Sequence, residues 1–121
     1  MFGLENSCRY FMCQHPVNMR KGIDSLFALI QSESPLSPMN GDVFVFFSKN
    51  RQSVKLLRWD TDGFLLYQKR LEKGSFELPQ KNAITGYYEL SWGTFNFIMS
   101  GVSLKSVRFR SKRLRVNVGG Q

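Results

Sequence analysis

Residues 42 to 71, DVFVFFSKNRQSVKLLRWDTDGFLLYQKRL, string three apolar runs together with two short polar breaks between them. Asp42 to Ser48 is a nearly continuous β-branched and aromatic run, the pattern of a strand buried on both faces. Lys49-Asn50-Arg51-Gln52 closes a hairpin into Ser53 to Trp59. Asp60-Thr61-Asp62-Gly63 makes a second turn, with Gly63 free to take a positive φ, and leads into Phe64 to Leu71. Glu72-Lys73-Gly74 turns the chain again into Ser75 to Leu78, which Pro79 ends. Four strands joined by short turns predict an antiparallel meander.

Upstream, Ile23, Leu26, Phe27 and Ile30 fall at i, i+3, i+4 and i+7, the apolar stripe of an amphipathic helix. Asn18 is the expected N-cap, which sets Arg20 and Lys21 in the first helical turn. There the macrodipole disfavours cations, while free backbone N–H groups and two cations would suit a phosphate; a tolerated pair of surface charges is the plain alternative. Ser32 to Gly41 has the Ser, Pro and Gly density of a loop. Arg9 to Gln14 reads as a short strand that His15-Pro16 stops. Downstream, Ser91 caps a short helix with Trp92, Phe95, Ile98 and Met99 on one side and Gly101 as its stop. The expected fold class is α+β: a meander packed on the first helix through Ile23, Leu26, Phe27 and Ile30, with Phe44 and Phe46 in the core. A length of 121 residues suits one core, taken as a single domain over 1–104 with a basic tail over 105–121.

Seventeen Lys and Arg oppose nine Asp and Glu, a net charge of +8. An excess of this size favours polyanionic partners, since counterion release from phosphates supplies affinity without base contacts; charge kept only for solubility is the alternative. The cations interrupt the strands. Lys55 shares a face with Leu57 and Trp59, Arg58 lies on the other, and Lys69 and Arg70 end the next strand. Trp59 and Tyr67 could stack on bases, but a sheet this small needs them for its core. Residues 105–115 hold six cations and no acid. An extended chain there sends Arg108 and Arg110 to one side, with Lys112 and Arg113 following, as in an arm along a phosphate backbone or a solvated tail.

Catalytic chemistry finds little to work with. His15 is the only histidine, and with Cys8 and Cys13 it lacks the paired spacing of a structural zinc site. On one strand Cys13 and His15 would sit about 7 Å apart, too far for a nucleophile and its base. Asp60-x-Asp62-Gly63 lacks the remaining ligands of a calcium loop, and Gly-rich phosphate loops are absent. No enzyme activity, metal or cofactor is expected. No apolar run approaches the ~20 residues of a membrane span, and Met1 to Met12 lacks signal-peptide organisation. A cytoplasmic protein with free Cys8 and Cys13 thiols is expected, with no membrane partner.

Met19-Arg20-Lys21-Gly22, then Phe44-Val45-Phe46, then Val54, Lys55, Leu57, Trp59, Asp60 and Gly63, then Lys69, Arg70, Leu71, Gly74 and Phe76 form an ordered series. It reads M-R-K-G, F-V-F, V-K-x-L-x-W-D-x-x-G and K-R-L-x-x-G-x-F. Over Tyr10 to Pro79 this series closely resembles the accessory proteins of IS-sixty-six bacterial insertion sequences, the TnpB family of those elements and not the RNA-guided nuclease of the same label. Asn18 stands where that family usually has Asp. The resemblance implies a non-catalytic partner in transposition, encoded beside a separate transposase that cuts and joins DNA. The expectation is therefore binding of element DNA, with phosphate contacts from Arg20, Lys21, Lys55, Arg58, Lys69, Arg70, Arg108, Arg110, Lys112 and Arg113. The alternative is a module that docks on the transposase without touching DNA, its cations meeting an acidic surface.

Overall fold

The computed structural model describes residues 3–79 and 86–100. Its elements run β1 (Tyr10–Cys13), α1 (Ile23–Glu33), β2 (Val43–Phe47), β3 (Ser53–Asp60), β4 (Gly63–Arg70), β5 (Tyr87–Leu90) and α2 (Trp92–Met99). The five strands form one sheet in the order β4-β3-β2-β1-β5. β2, β3 and β4 are successive antiparallel neighbours, while β1 runs parallel to β2 and antiparallel to β5. A parallel pair cannot be joined by a tight turn, and the 29 residues between β1 and β2 supply the crossover, with α1 in it. The fold is α+β.

The two helices cover opposite faces. On one, Leu26 and Ile30 of α1 lose all exposure against Phe11, Phe44, Phe46 and Leu57, each burial worth about 1.5–3 kcal/mol. Ile23 is packed at the border of this cluster, and Phe27 meets the Phe64 ring edge-on at 5.5 Å. On the other face, Phe95, Ile98 and Met99 of α2 join Tyr10, Met12, Val43, Val45, Val54 and Leu56. There the Tyr10 and Phe95 rings stack with centroids 4.1 Å apart. β2 lies between these layers, and its five residues are all buried, which is why its sequence shows no alternation.

Ser91 caps α2 as its sequence predicts, its hydroxyl accepting from the Thr94 N–H at 3.1 Å; Gly101 lies outside the described residues. Three expectations need correction. First, the meander has three strands, because Ser75 to Leu78 is not part of the sheet. Gly74, at φ +73°, turns the chain back over the β2–β3 hairpin. There Phe76 donates its N–H to the Arg51 carbonyl and buries its ring against Phe47, centroids 5.5 Å apart. One apolar anchor replaces a ladder. Second, α1 begins at Ile23, and Gly22 provides its N-cap position without a side-chain bond. Asn18 instead holds a turn ahead of the helix, its side-chain oxygen accepting from the Arg20 N–H at 2.8 Å and its carbonyl from the Lys21 N–H at 3.1 Å. Third, the β3–β4 turn puts the positive φ on Thr61, at 55°, and not on Gly63.

A β-branched residue in the left-handed region carries a steric cost of about 1–2 kcal/mol. Thr61→Gly is expected to stabilise the protein by up to about 1 kcal/mol, the relief being offset in part by glycine's greater freedom when unfolded. A urea unfolding curve should show a higher midpoint with an unchanged slope.

Candidate nucleic-acid interface

The β2–β3 hairpin is tightly laced. Ser48 Oγ accepts from the Ser53 N–H at 3.0 Å and donates to Asn50 Oδ1 at 2.7 Å, and Asn50 Oδ1 also accepts from the Gln52 N–H at 3.0 Å. Arg51 adopts a φ of 58°, so this small network fixes a backbone that sterics alone would disfavour. Lys49 and Arg51 project from it, both exposed. Sequence reading treated these residues as turn formers only; the signal available was two cations flanking an Asn at a hairpin tip.

Two other basic segments reach the same end of the sheet. Residues 16–19 and 48–50 line a shared cleft, and the Val17 N–H donates to the Phe47 carbonyl at 2.9 Å. That contact brings in the turn bearing Arg20, which is exposed, and Lys21, which is half-buried. Arg70 arrives from β4, opposite Ser53 across the ladder, with the next N–H, of Leu71, bonded to the Gln52 carbonyl at 2.8 Å. Its side chain is 71% exposed and meets Glu72 only at 3.6 Å, an ion pair of little weight in water. Among the described residues Arg20, Lys21, Lys49 and Arg51 form no ion pair.

The other expected contacts are placed differently. Lys55 is 6% exposed, and its ammonium donates to the Lys21 carbonyl at 2.7 Å; it holds the Arg20–Lys21 turn against the sheet. Arg58 lies near the other end, donating to the Gly3 carbonyl at 2.6 Å and the Gly41 carbonyl at 3.2 Å. Close by, Arg9 makes a two-point pair with Asp42 at 2.7 and 3.0 Å. Lys69 reaches the opposite face, where its ammonium donates to the Met99 carbonyl at 2.9 Å in the last turn of α2, a favourable place for a cation. Arg108, Arg110, Lys112 and Arg113 lie outside the described residues. Trp59 and Tyr67 are half-buried: Tyr67 packs on the α2-side cluster, and Trp59 meets Phe64 edge-on at 5.1 Å.

A second constellation was missed from sequence. β1 ends at Cys13, so Cys13 and His15 do not keep a strand's spacing, and Cys13 Sγ lies 3.6 Å from His15 Nε2. Glu33, the last residue of α1, brings a carboxylate oxygen to within 2.8 Å of the same nitrogen. The three ligand atoms lie within 4.8 Å of one another. Partial burial alone would lower the His15 pKa, but the hydrogen bond to Glu33, aided by the Pro16 carbonyl and the Glu33 charge, outweighs it and raises the net value. Burial raises the Cys13 thiol pKa.

A model of the family described as IS66 Orf2 like protein matches residues 8–109. The chain belongs to that family. The IS66 Orf2-like protein is thus an accessory protein associated with an insertion sequence and its transposase system. It is also similar to two uncharacterized proteins of Sinorhizobium fredii. With y4jC it shares 31% identity over 108 residues, covering 89% of this chain and 91% of the relative. With y4hO it shares 30% over 94 residues, 78% and 80% of the two chains. No solved structure matches significantly. Among the described residues no helix is long and apolar enough to cross a membrane.

Two outcomes follow from these placements. Lys55→Met keeps the buried stem but loses a charged hydrogen bond, so unfolding stability is expected to fall by about 1.5–3 kcal/mol in denaturant titrations. The raised His15 pKa means that the Glu33 contact stabilises the fold below the unfolded histidine value of about 6.5, and that this contribution fades as pH rises through the folded value. In metal-free protein, Glu33→Gln should lower the His15 pKa followed by NMR, and the wild-type protein should lose more stability than the variant as pH rises through that range.

Proposed function

We propose that this IS66 Orf2-like protein is a non-catalytic accessory factor in transposition that binds DNA through its phosphate backbone. The surface is the hairpin end of the sheet, with Arg20, Lys21, Lys49, Arg51 and Arg70 as the contacting cations. The observation that carries the reading is the convergence of three basic segments, distant in sequence, on one end of a rigid sheet. Their charges are largely uncommitted to acids, while among the other described residues Lys55, Arg58 and Lys69 are tied to carbonyls and Arg9 to Asp42. Phosphate contacts of this kind position a protein without reading sequence. Lys55 and Arg58 act in this scheme as internal props, and Arg108, Arg110, Lys112 and Arg113, outside the described residues, are proposed to add further phosphate contacts. Trp59 and Tyr67 serve packing.

Fluorescence anisotropy with a labelled element-end duplex and a scrambled duplex, at several salt concentrations, tests this. The log–log salt slope should be steep and should shrink by roughly one for each phosphate contact removed. Arg20→Gln with Lys21→Gln, and Lys49→Gln with Arg51→Gln, should each reduce it. Absence of binding at low salt, together with capture of the transposase by the wild-type protein but not by these variants, would assign the same cations to docking on the transposase.

A further inference from the structure

We propose that Cys13, His15 and Glu33 form a binding site for a single zinc(II) ion, held by Cys13 Sγ, His15 Nε2 and a Glu33 carboxylate oxygen, with water in the fourth position. Three observations converge on it. His15 Nδ1 lies 3.2 Å from the Pro16 carbonyl. An N–H there donates to that oxygen and leaves the lone pair on Nε2, the arrangement by which backbone carbonyls orient metal-binding histidines.

Nε2 then faces a sulfur at 3.6 Å and a carboxylate oxygen at 2.8 Å. A neutral ring in this tautomer points its lone pair at two further electron-rich atoms, so the cluster needs a positive centre among them: a proton on Nε2 or a metal ion. Zinc bonds of about 2.3 Å to sulfur and 2.0–2.1 Å to nitrogen, at a tetrahedral angle, separate those atoms by about 3.6 Å. That matches the observed spacing. The Glu33 oxygen must withdraw by about half an ångström to admit the ion, and its side chain is 32% exposed and terminal on α1.

The donor set also selects the metal. Thiolate and imidazole suit zinc over magnesium or calcium, which prefer oxygen. A thiolate and a carboxylate neutralise the ion's double charge, which matters because Lys49 and Arg51 line the adjoining cavity with Cys13 and His15. Burial keeps the Tyr87 hydroxyl protonated at this end of the sheet. On binding, the S–H bond breaks, the S–Zn bond forms, and the thiol proton leaves to solvent. The ion would clip the end of β1 to the end of α1, across the segment that carries Arg20 and Lys21.

The test uses the full chain stripped of metal and titrated with cobalt(II), a spectroscopic stand-in for zinc. A sulfur-to-cobalt charge-transfer band and the visible bands of a four-coordinate ion are expected, both abolished by zinc and both absent in Cys13→Ser. Zinc should raise the melting temperature of the wild-type protein. His15→Ala and Glu33→Gln, at half-exposed positions compatible with folding, should each weaken zinc binding by at least about tenfold, while Cys8→Ser should not. Absence of the charge-transfer band in folded wild-type protein, or zinc affinity unchanged in His15→Ala and Glu33→Gln, would overturn the site. None of these readouts depends on DNA.

Discussion

The parallel pairing of β1 with β2 is the constraint on which the remainder depends. Antiparallel strands need only a turn, and β2, β3 and β4 are joined in that way. A parallel partner must be reached by carrying the chain back across the sheet. In this protein the return is α1 with its flanking loops, and the register of Tyr10 on Val43, Phe11 on Phe44 and Met12 on Val45 fixes where those loops lie. Residues 14–22 must leave the end of β1 beside the β2–β3 hairpin. Both the basic turn and His15 of the Cys13–His15–Glu33 cluster lie on that short path.

Local pattern made the rest of the architecture legible. The unbroken run from Val43 to Phe47, the helical spacing of Leu26 and Ile30, and Ser91 ahead of Trp92 each express a rule that acts within a few residues. β1 was legible as a strand but not as a neighbour of β2, because four buried residues say nothing about which edge they pair with. Phe76 shows the converse. Its segment has strand composition, yet the side chain is satisfied by one deep contact with Phe47, and burial of a single ring outweighs what a marginal edge strand would gain. Asn18 was read as a helix cap because its chemistry is the same in an Asx turn; only the chain's path beyond it distinguishes the two.

The site was less legible than the fold for a related reason. A lysine in a strand looks the same on paper whether it reaches water or folds inward, and Lys55 folds inward onto a carbonyl 34 positions earlier in the chain. Lys69 and Arg58 likewise find backbone carbonyls of segments remote in sequence. Each of these long cations donates to the backbone, and Lys55 also buries its stem. The net charge of +8 therefore overstates what this surface offers a partner. Among the described residues, several of the cations that form no ion pair gather by the hairpin, whose basic residues the sequence offered only as a turn.

Lys55 couples these features mechanically. Its ammonium holds the Lys21 carbonyl, and the same segment is tied at its other end by His15 to Glu33 and in its middle by Val17 to Phe47. Arg20 and Lys21 thus ride on a loop pinned at three points to a sheet that is buried on both faces over β1 and β2. A flexible loop would lose conformational freedom when its cations met a phosphate, at about 1–2 kcal/mol for each backbone residue newly ordered. Here much of that ordering is complete before any partner arrives. The buried Lys55 that phosphates cannot reach thus favours the more accessible Arg20 and Lys21 that they can.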